Sequence, residues 1–461
     1  MTGTEARAVR IARPPEAEYA AATAVFNLAA PVRPAAAVTV RTADEVRAAV
    51  RRARADRLWV RPHTSGHASS SARPMHGSLL VRTEPSGPVE VDAAARVARV
   101  PAGTRWAAVV EAAAAHGLAA AHGTSPTVGV VGYLLRGGVS VYGRHTGLAA
   151  NALRAVELVT ADGLTCRADA AADPELFWAL RGGGGGFGVV TAVEIGLFPA
   201  ARVIAGAAFW PAAHGRELTA RWTRWTRDAP GTVTTALRVM NLPAVPGIPP
   251  ELTGGPVLCL TGTVLSPAED DLGAARLRAE DLLAPLRAVA APLLDTWREG
   301  APTAVPQAHM DPTEPVPVLG DHLLLSPLGP DGAEVFLQLL GEGSGSPLVN
   351  AELRQLGGAL AVPAPDGGAL SRLDAAFAFT AGGLAVDPAA RAAIQAHCAK
   401  VRSALAPWDT GWTAPTLVER LDQPQRHLPP ETVARVDGVR RRIDPDGLFR
   451  HDVTPGSSAR Y

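Results

Sequence analysis

Three glycine-bearing segments contain the residues whose types and spacing could do chemistry. They are Thr64–His67, residues 123–138 and the run of five glycines at 182–186. Glycine lets a backbone approach a ligand closely and present N–H groups to anionic oxygens. Neither the dinucleotide-binding pattern after a first strand nor the P-loop pattern is present. Three such loops in one part of the chain predict a site for a large, phosphate-bearing cofactor.

Short strands alternating with helices are predicted around these loops. The predicted strands lie at 37–40, 58–61, 78–82, 89–92 and 96–100. Thr42 and Glu45 have the spacing of a capping box, which predicts a helix through about Ala55. Apolar residues at helical spacing predict a second helix from Thr104 to His116. Residues 156–166 read as a hairpin turned by Asp162 and Gly163.

The sequence changes character around Phe198 and Pro199, where proline and glycine become frequent. Predicted strands follow at 205–210, 233–240, 256–264 and 375–380, with helices near 214–227, 267–288 and 387–406 and from Glu431 to Arg442. Interleaved strands and helices predict the α+β class. We expect a first domain at 1–200, a second at 201–410 built on a sheet backed by helices, and a C-terminal segment at 411–461.

Composition excludes several classes of protein. Lys plus Arg and Asp plus Glu are both 44, so the chain lacks the basic excess that a nucleic-acid-binding protein needs. The three cysteines form neither a paired motif nor a disulfide framework, which favours a reducing compartment. No apolar stretch is long enough to span a bilayer, and residues 1–15 lack the apolar core of a secretory signal. We expect a cytoplasmic protein with no membrane partner, no nucleic-acid partner and no metal site; the sequence does not indicate an oligomeric state.

The ordered motifs around the three loops carry a family resemblance. Gly66-His67 is similar to the end of an Arg-Ser-Gly-Gly-His loop, residues 123–132 to a Gly-x-Cys-Pro-Thr-Val-Gly segment, and residues 443–450 to a closing motif. Residues 173–190 are the most specific match. Together they resemble the p-cresol methylhydroxylase superfamily, specifically the berberine-bridge-enzyme-like oxidoreductases. The resemblance covers the first 200 and last 30 residues well and the middle only faintly.

This resemblance implies a two-lobed FAD-binding domain followed by a substrate domain with an antiparallel sheet backed by helices. His67 corresponds to the histidine that bonds covalently to the flavin in relatives; a loop histidine that only hydrogen-bonds is the alternative. The residues implied in cofactor binding are Arg61, His63, Thr64, Ser65, Gly66, His67, Ser69, Ser125, Thr127, Val128, Gly129, Gly132, Tyr133, Gly137, Gly138, Gly188, Val189 and Val190.

Departures from the family pattern are informative as well. Ser125 replaces the cysteine that forms a second flavin link in many relatives, so a single histidyl link is implied. His63 stands where the family has arginine, and Arg61 lies two residues upstream. Val128 occupies a position where valine accompanies oxygen reactivity, which favours an oxidase. Arg136 replaces a glycine, and its side chain either balances the reduced flavin, fixes an acidic substrate or points to solvent.

The expected catalytic tyrosine of the C-terminal region is absent. The four tyrosines are Tyr19, Tyr133, Tyr142 and Tyr461. We therefore take Glu352, Arg136 and Tyr142 as catalytic candidates, with Glu352 as a base whose pKa is raised by burial. An ion pair with Arg354 is the alternative for Glu352. For His309 and His322 we expect solvated loop positions.

Two functions fit these residues. One is an FAD-dependent oxidase of a small alcohol, amine or polyketide-like molecule, with O₂ as the second substrate. The other is a redox-neutral cyclase that keeps FAD as a scaffold, which the missing tyrosines and Arg136 motivate. A non-enzymatic flavin-binding partner is a third alternative, and the intact Gly66-His67 pair argues against it.

Overall fold

The computed structural model describes residues 9–268, 271–454 and 456–458, so Tyr461 and the first eight residues lie outside it. The helices are α1 (Ala17–Ala22), α2 (Ala43–Ala55), α3 (Trp106–Ala114), α4 (Val130–Leu135), α5 (Gly143–Thr146), α6 (Pro174–Leu180), α7 (Gly215–Trp225), α8 (Leu272–Arg287), α9 (Val305–Ala308), α10 (Gly329–Leu340), α11 (Pro388–Leu405) and α12 (Pro430–Ile443). The strands are β1 (Ala36–Val40), β2 (Trp59–His63), β3 (Ser78–Thr83), β4 (Glu90–Asp92), β5 (Val97–Pro101), β6 (Leu118–Ala119), β7 (Leu153–Val159), β8 (Thr165–Asp169), β9 (Val189–Gly196), β10 (Phe198–Pro199), β11 (Arg202–Pro211), β12 (Val233–Met240), β13 (Val257–Ser266), β14 (Leu294–Asp295), β15 (Arg298–Gly300), β16 (Val318–Leu325), β17 (Asn350–Gln355) and β18 (Phe377–Leu384).

Two small sheets form the first part of the chain. A parallel sheet has the order β1-β3-β2, and an antiparallel sheet has the order β4-β5-β9-β7-β8. Helix α2 packs its apolar residues between them, against Leu79 of the parallel sheet and Val159 of the antiparallel sheet. The predicted capping box is present, since the Thr42 hydroxyl accepts from Glu45 N and the Glu45 carboxylate accepts from Thr42 N.

A large antiparallel sheet follows, with the order β14-β11-β13-β12-β17-β18-β16 and β15 paired to β11. Helices α7, α8, α10 and α11 cover one of its faces. Trp222, Leu282, Phe336 and Ile394, one from each helix, are buried together against the apolar side chains of the strands. The predicted α+β class, with an antiparallel sheet backed by helices, is confirmed.

The opposite face of this sheet is joined to the first part of the chain by a buried arginine. Arg144 donates from Nε to the Val233 carbonyl at 2.9 Å and from Nη2 to the Ala229 carbonyl at 2.6 Å, and it also contacts the Leu356 carbonyl. Carbonyls at strand ends need donors, and one guanidinium supplies several in a fixed plane. This contact fixes the distance between the sheet and the loop segment at 123–147.

The end of the chain returns to the first part. The Asp444 carboxylate accepts from the backbone N–H groups of Leu448 and Phe449, which stabilises the turn after α12. The Leu448 carbonyl then accepts from Val60 N on β2 at 2.9 Å. The division at residues 200 and 410 stays a prediction. Within the described residues, no helix is both long and apolar enough to cross a bilayer.

Most of the predicted elements are present within a few residues, including the β7–β8 hairpin turned at Gly163 with φ of +79°. Several elements were not predicted, and the longest of them are β9, β16 and α10. Strand β16 ends in consecutive buried residues rather than an alternating pattern, because it is covered on both faces. Such runs carry no period-two signal.

Candidate functional site

The first two glycine-bearing loops meet at His67. His67 Nδ1 lies 2.9 Å from Ser65 Oγ, and its Nε2 lies 3.2 Å from Thr127 Oγ1. Ser65 Oγ also accepts from Gly129 N at 3.3 Å, so this hydroxyl joins the two loops. Gly66 has φ of +74°, a conformation that favours glycine, and it turns the chain into the short helix at His67–Ser71.

The His67 imidazole is held in place and uncharged. Its ring stacks on Phe26 with centroids 3.9 Å apart and an interplanar angle of 13°. Burial, together with the nearby Arg105 guanidinium, lowers the pKa of His67 to about 4. A neutral imidazole retains a nitrogen lone pair at neutral pH, which is what bond formation to an electrophilic carbon requires.

The third loop packs against the second loop and against the end of the chain. Gly184 N donates to the Leu135 carbonyl at 2.9 Å, and Gly186 N donates to the Asp452 carboxylate at 3.2 Å. Arg440 of α12 donates to the carbonyls of Gly183 and Gly185. The structure therefore brings all three glycine-bearing segments together.

Three of the predicted cofactor-binding residues have buried polar atoms without a hydrogen-bond partner in the described part of the chain. These atoms are Arg61 Nε, Ser69 Oγ and the Tyr133 hydroxyl. Buried polar groups in folded proteins are nearly always paired. Unpaired donors beside the loops fit a large polar ligand such as FAD, with Thr64, Ser65, Gly66, Thr127 and Gly129 as the residues closest to His67.

Other predicted cofactor-binding residues lie elsewhere. His63 Nε2 hydrogen-bonds to the Ala24 carbonyl at 3.2 Å, so its side chain is engaged with the N-terminal segment. Gly132 is exposed at the surface. Val189 and Val190 are buried in the apolar cores of the first part of the chain. The backbone of Gly188 lies against the Val159 carbonyl, and a Cβ at this position would be 2.5 Å from the carbonyl oxygen. Close packing therefore explains the glycine at position 188.

Gly137 and Gly138 lie in a turn that a threonine of the C-terminal segment fixes. The Thr416 hydroxyl accepts from Gly138 N at 2.8 Å and donates to the Arg136 carbonyl at 2.7 Å. Both glycines have positive φ, of +92° and +72°. Ser125 Oγ lies 3.0 Å from Thr127 Oγ1, so it joins the hydroxyl chain that leads to His67.

Arg136 points into the protein rather than into solvent. Its Nη1 donates to Ser71 Oγ at 3.1 Å. Burial lowers the pKa of the Arg136 guanidinium, and the carboxylates of Asp452 and Glu419 partly offset that effect. The side chain therefore adds a cation to the region between the His67–Ser71 helix and the C-terminal segment.

Tyr142 lies in an apolar contact between the two parts of the chain. Its ring packs edge-on against His122 and Phe198, with centroids 5.4 and 5.2 Å away. Burial raises the pKa of its hydroxyl. This environment favours packing over the catalytic role that we predicted for Tyr142.

A small cavity of about 30 Å³ lies between the large sheet and the second loop. Threonines of β12 and β13 line one side, and Thr124 and Val141 line the other. His309 and Arg354 contribute the charged or titratable groups of its wall. The cavity adjoins the loop that contacts His67, and most of its lining surface is apolar.

A chain of buried ionisable groups stands behind this wall. His309 Nδ1 lies 2.7 Å from Asp311 Oδ1, and His309 Nε2 lies 2.7 Å from Glu352 Oε2. Arg354 Nε donates to Glu352 Oε1 at 2.7 Å, and Arg238 Nε lies 3.7 Å from Glu352 Oε2. Strand pairing sets this arrangement, because Arg238 on β12 is opposite Glu352 on β17.

The expectation that Glu352 is a base with a raised pKa is wrong. Burial alone would raise the pKa of Glu352, but Arg354 and His309 hold it well below its usual range. The same balance applies to Asp311, where His309 and Arg238 outweigh burial and keep its pKa low. The alternative, an ion pair between Glu352 and Arg354, is what the structure contains.

The expectation of solvated loop positions for His309 and His322 is also wrong. His309 follows α9 and is buried between two carboxylates. His322 lies in β16, fully buried, with Nδ1 2.8 Å from the Phe379 carbonyl. Sequence reasoning missed Arg238 and Asp311 entirely. The signal available for Asp311 was its two-residue spacing from His309.

Comparisons with known proteins agree with this site. Residues 34–169 match the family of the FAD binding domain. The (R)-6-hydroxynicotine oxidase of Paenarthrobacter nicotinovorans is 34% identical over 179 residues, which are 39% of this chain and 39% of that protein. The matched segments span about a third of the length of the curated relatives.

Solved structures match over nearly the whole chain. The BBE-like 1 protein of Physcomitrella patens has a TM-score of 0.81 at 21% identity and covers 97% of this chain and 96% of its own. The 6-hydroxy-D-nicotine oxidase of Arthrobacter nicotinovorans has a TM-score of 0.82 at 21% identity and covers 99% of both chains. The matched segment and the fold define a protein with an FAD binding domain. More particularly, the chain shares the fold of the BBE-like 1 protein and of 6-hydroxy-D-nicotine oxidase.

The buried histidines predict an acid-sensitive fold. Burial lowers the pKa of His122 to about 4, below its ordinary value of 6.5. The unfolded chain therefore takes up protons first as pH falls, and the free energy of unfolding decreases between pH 6.5 and 4. Replacing His122 by Leu should reduce this slope by about 1.4 kcal/mol per pH unit. Urea unfolding at a series of pH values measures it.

Trp106 provides the control for this experiment, because its ring lies in the same aromatic cluster, 6.3 Å from His122. Trp106→Phe removes packing contacts but no titratable group. The pH dependence of its free energy of unfolding should therefore have the same slope as that of the wild type. An unchanged slope in His122→Leu would contradict the interpretation.

Proposed function

We propose that this protein is an FAD-dependent oxidoreductase, and specifically an oxidase of a small organic molecule in specialised metabolism. The observation that carries the proposal is the neutral His67 imidazole held between Ser65 and Thr127 where the two glycine-bearing loops meet. The unpaired buried donors of Arg61, Ser69 and Tyr133 support it. Alcohols, amines and polyketide-like intermediates are the substrate classes that we consider.

Bound FAD supplies a ring that accepts a hydride from the substrate and passes electrons to O₂. The chain's own residues then have distinct tasks. The backbone N–H groups around Ser65 offer donors for the anionic part of the cofactor. Phe26 and Thr127 hold the His67 ring in one orientation. The large sheet forms the opposite wall of the cavity.

We propose a single covalent flavin link, formed by His67. Its lowered pKa keeps a lone pair available at neutral pH, and its ring is fixed on both nitrogens. Ser125 cannot provide the second link of many relatives, because its hydroxyl is a weak nucleophile. A serine at this position instead extends the hydrogen-bond chain through Thr127 to His67.

Two further aspects of the proposal rest on sequence and relatives. Val128 favours reaction with O₂, and the relative from Paenarthrobacter is named an oxidase. We also propose a cytoplasmic location, with the small-molecule substrate and O₂ as partners and without nucleic-acid, membrane or metal partners.

The lack of a free base among the described residues of the cavity wall favours a second candidate function, a redox-neutral cyclase. Both carboxylate oxygens of Glu352 are already hydrogen-bonded, one to Arg354 and one to His309. Both nitrogens of His309 face carboxylates. Among the described residues that line the cavity, none is therefore an unoccupied base. A redox-neutral ring closure needs no base, since shape and orientation supply the rate.

Anaerobic mixing with candidate substrates separates these functions. An oxidase substrate should bleach the visible flavin absorbance in the absence of O₂, because the electrons remain on the cofactor. A cyclase substrate should be converted with the absorbance unchanged. Product analysis of the same sample shows whether conversion took place.

A covalent link at His67 predicts that substitutions of His67 and of the neighbouring Ser125 differ in whether the denatured protein keeps its flavin. After acid denaturation, we expect the yellow colour to stay with the wild-type protein and with Ser125→Ala. His67→Ala should release its flavin into the supernatant. Absorbance of the precipitate and the supernatant measures both. Release from the wild type would disprove the link while leaving FAD binding intact.

The oxidase assignment predicts an effect of Val128 that needs no substrate. The FAD-loaded protein is reduced with dithionite without O₂, and its reoxidation is followed after O₂ is added. Val128→Leu should slow reoxidation about tenfold, which corresponds to a barrier raised by about 1.4 kcal/mol. Val131→Leu, on the following turn, serves as the control. Equal rates in wild type and Val128→Leu would contradict the assignment.

A further inference from the structure

Arg354 has unused hydrogen-bonding capacity in the wall of the cavity. Its Nε is bonded to Glu352 Oε1, and Glu352 is the hydrogen-bond partner that the structure gives it. The residue is 8% exposed, and it lines the cavity. Within the described residues, the two Nη groups are therefore left to face a ligand. A guanidinium edge with two parallel donors matches the two oxygens of a carboxylate.

The carboxylates beside Arg354 are engaged within the protein. Asp311 and Glu352 each lie 2.7 Å from a different nitrogen of His309. Glu352 Oε1 also accepts from Arg354 Nε, and Glu352 Oε2 lies 3.7 Å from Arg238 Nε. Both carboxylates thus contact other groups, and an anion in the cavity would meet the Nη edge of Arg354.

The remaining groups of this cluster are occupied within the protein. Arg238 donates from Nε to Asn350 Oδ1 at 2.8 Å and from Nη1 to the His309 carbonyl at 2.7 Å. Asp311 is bonded to His309 and also accepts from Thr124. Arg354 is therefore the arginine of this cluster that lines the cavity, and its neighbours in the wall are threonines of β12 and β13.

We propose that the substrate carries a carboxylate and that Arg354 binds it through Nη1 and Nη2, as the residue that determines specificity. This proposal rests on the function proposed above and names the substrate class of the same site. Glu352 is a positioning residue in it, because it fixes the guanidinium from the side opposite the cavity. A carboxylate would accept hydrogen bonds from both free donor groups of Arg354.

Benzoate and benzamide provide a matched pair of probes, since they differ in charge and are close in shape. Isothermal titration calorimetry on the purified FAD-loaded chain at neutral pH measures both affinities. We expect benzoate to bind at least about tenfold more tightly than benzamide, as charge-assisted hydrogen bonds predict. Arg354→Lys keeps the charge beside Glu352 and loses the paired donors, so it should weaken benzoate about tenfold and leave benzamide unchanged.

Two further variants test the electrostatic argument. Glu352→Gln removes one negative charge at constant shape and keeps an oxygen that can accept from Arg354 Nε, so benzoate binding should become tighter. Arg238→Lys alters a cation of the same cluster that does not line the cavity, and it should keep the preference for benzoate. Circular dichroism of each variant reports its folding.

Equal affinities of the two probes, absent benzoate binding, or an unaltered benzoate affinity in Arg354→Lys would overturn the proposal. Weaker benzoate binding in Glu352→Gln would overturn it as well. The titration reads heat rather than flavin colour or turnover. A protein purified without FAD would therefore contradict the proposed function separately, while the carboxylate preference stays measurable.

Discussion

The burial of Glu352 between Arg354 and His309 is the interaction on which the site depends. Moving the charged side chains of Glu352 and Arg354 out of water is costly, and only the contacts of these groups offset that cost. The contacts require β12 beside β17 in one register, with α9 delivering His309 above them. Asp311 extends the chain to Thr124 in the second glycine-bearing loop. The large sheet and the loop are thereby held at a fixed separation, and the cavity lies between them.

The His67 side of the site is built by different means. Short polar contacts among Ser65, Thr127 and Gly129 join two loops that are far apart in sequence. Phe26 adds an aromatic face that removes the imidazole from water. The result is a rigid, neutral histidine. Its two nitrogens lie near hydroxyls, whereas the two nitrogens of His309 lie near carboxylates.

The C-terminal segment completes the site without contributing the tyrosine found in many relatives. Thr416 fixes the turn at Gly138, and Arg440 holds the carbonyls of the five-glycine loop. These contacts act on backbone groups, so they preserve the loop conformations.

The sequence by itself determined the α+β class, the cofactor and the loops that meet at His67, because glycine runs, capping residues and apolar periodicity act locally. The pairing of Glu352, His309 and Asp311 was decided only by the tertiary structure. A pKa depends on burial and on charges brought close by strand pairing, and residues 238 and 352 are adjacent only through the register of β12 and β17. His322 was misplaced for a related reason, since a strand covered on both faces shows no alternation.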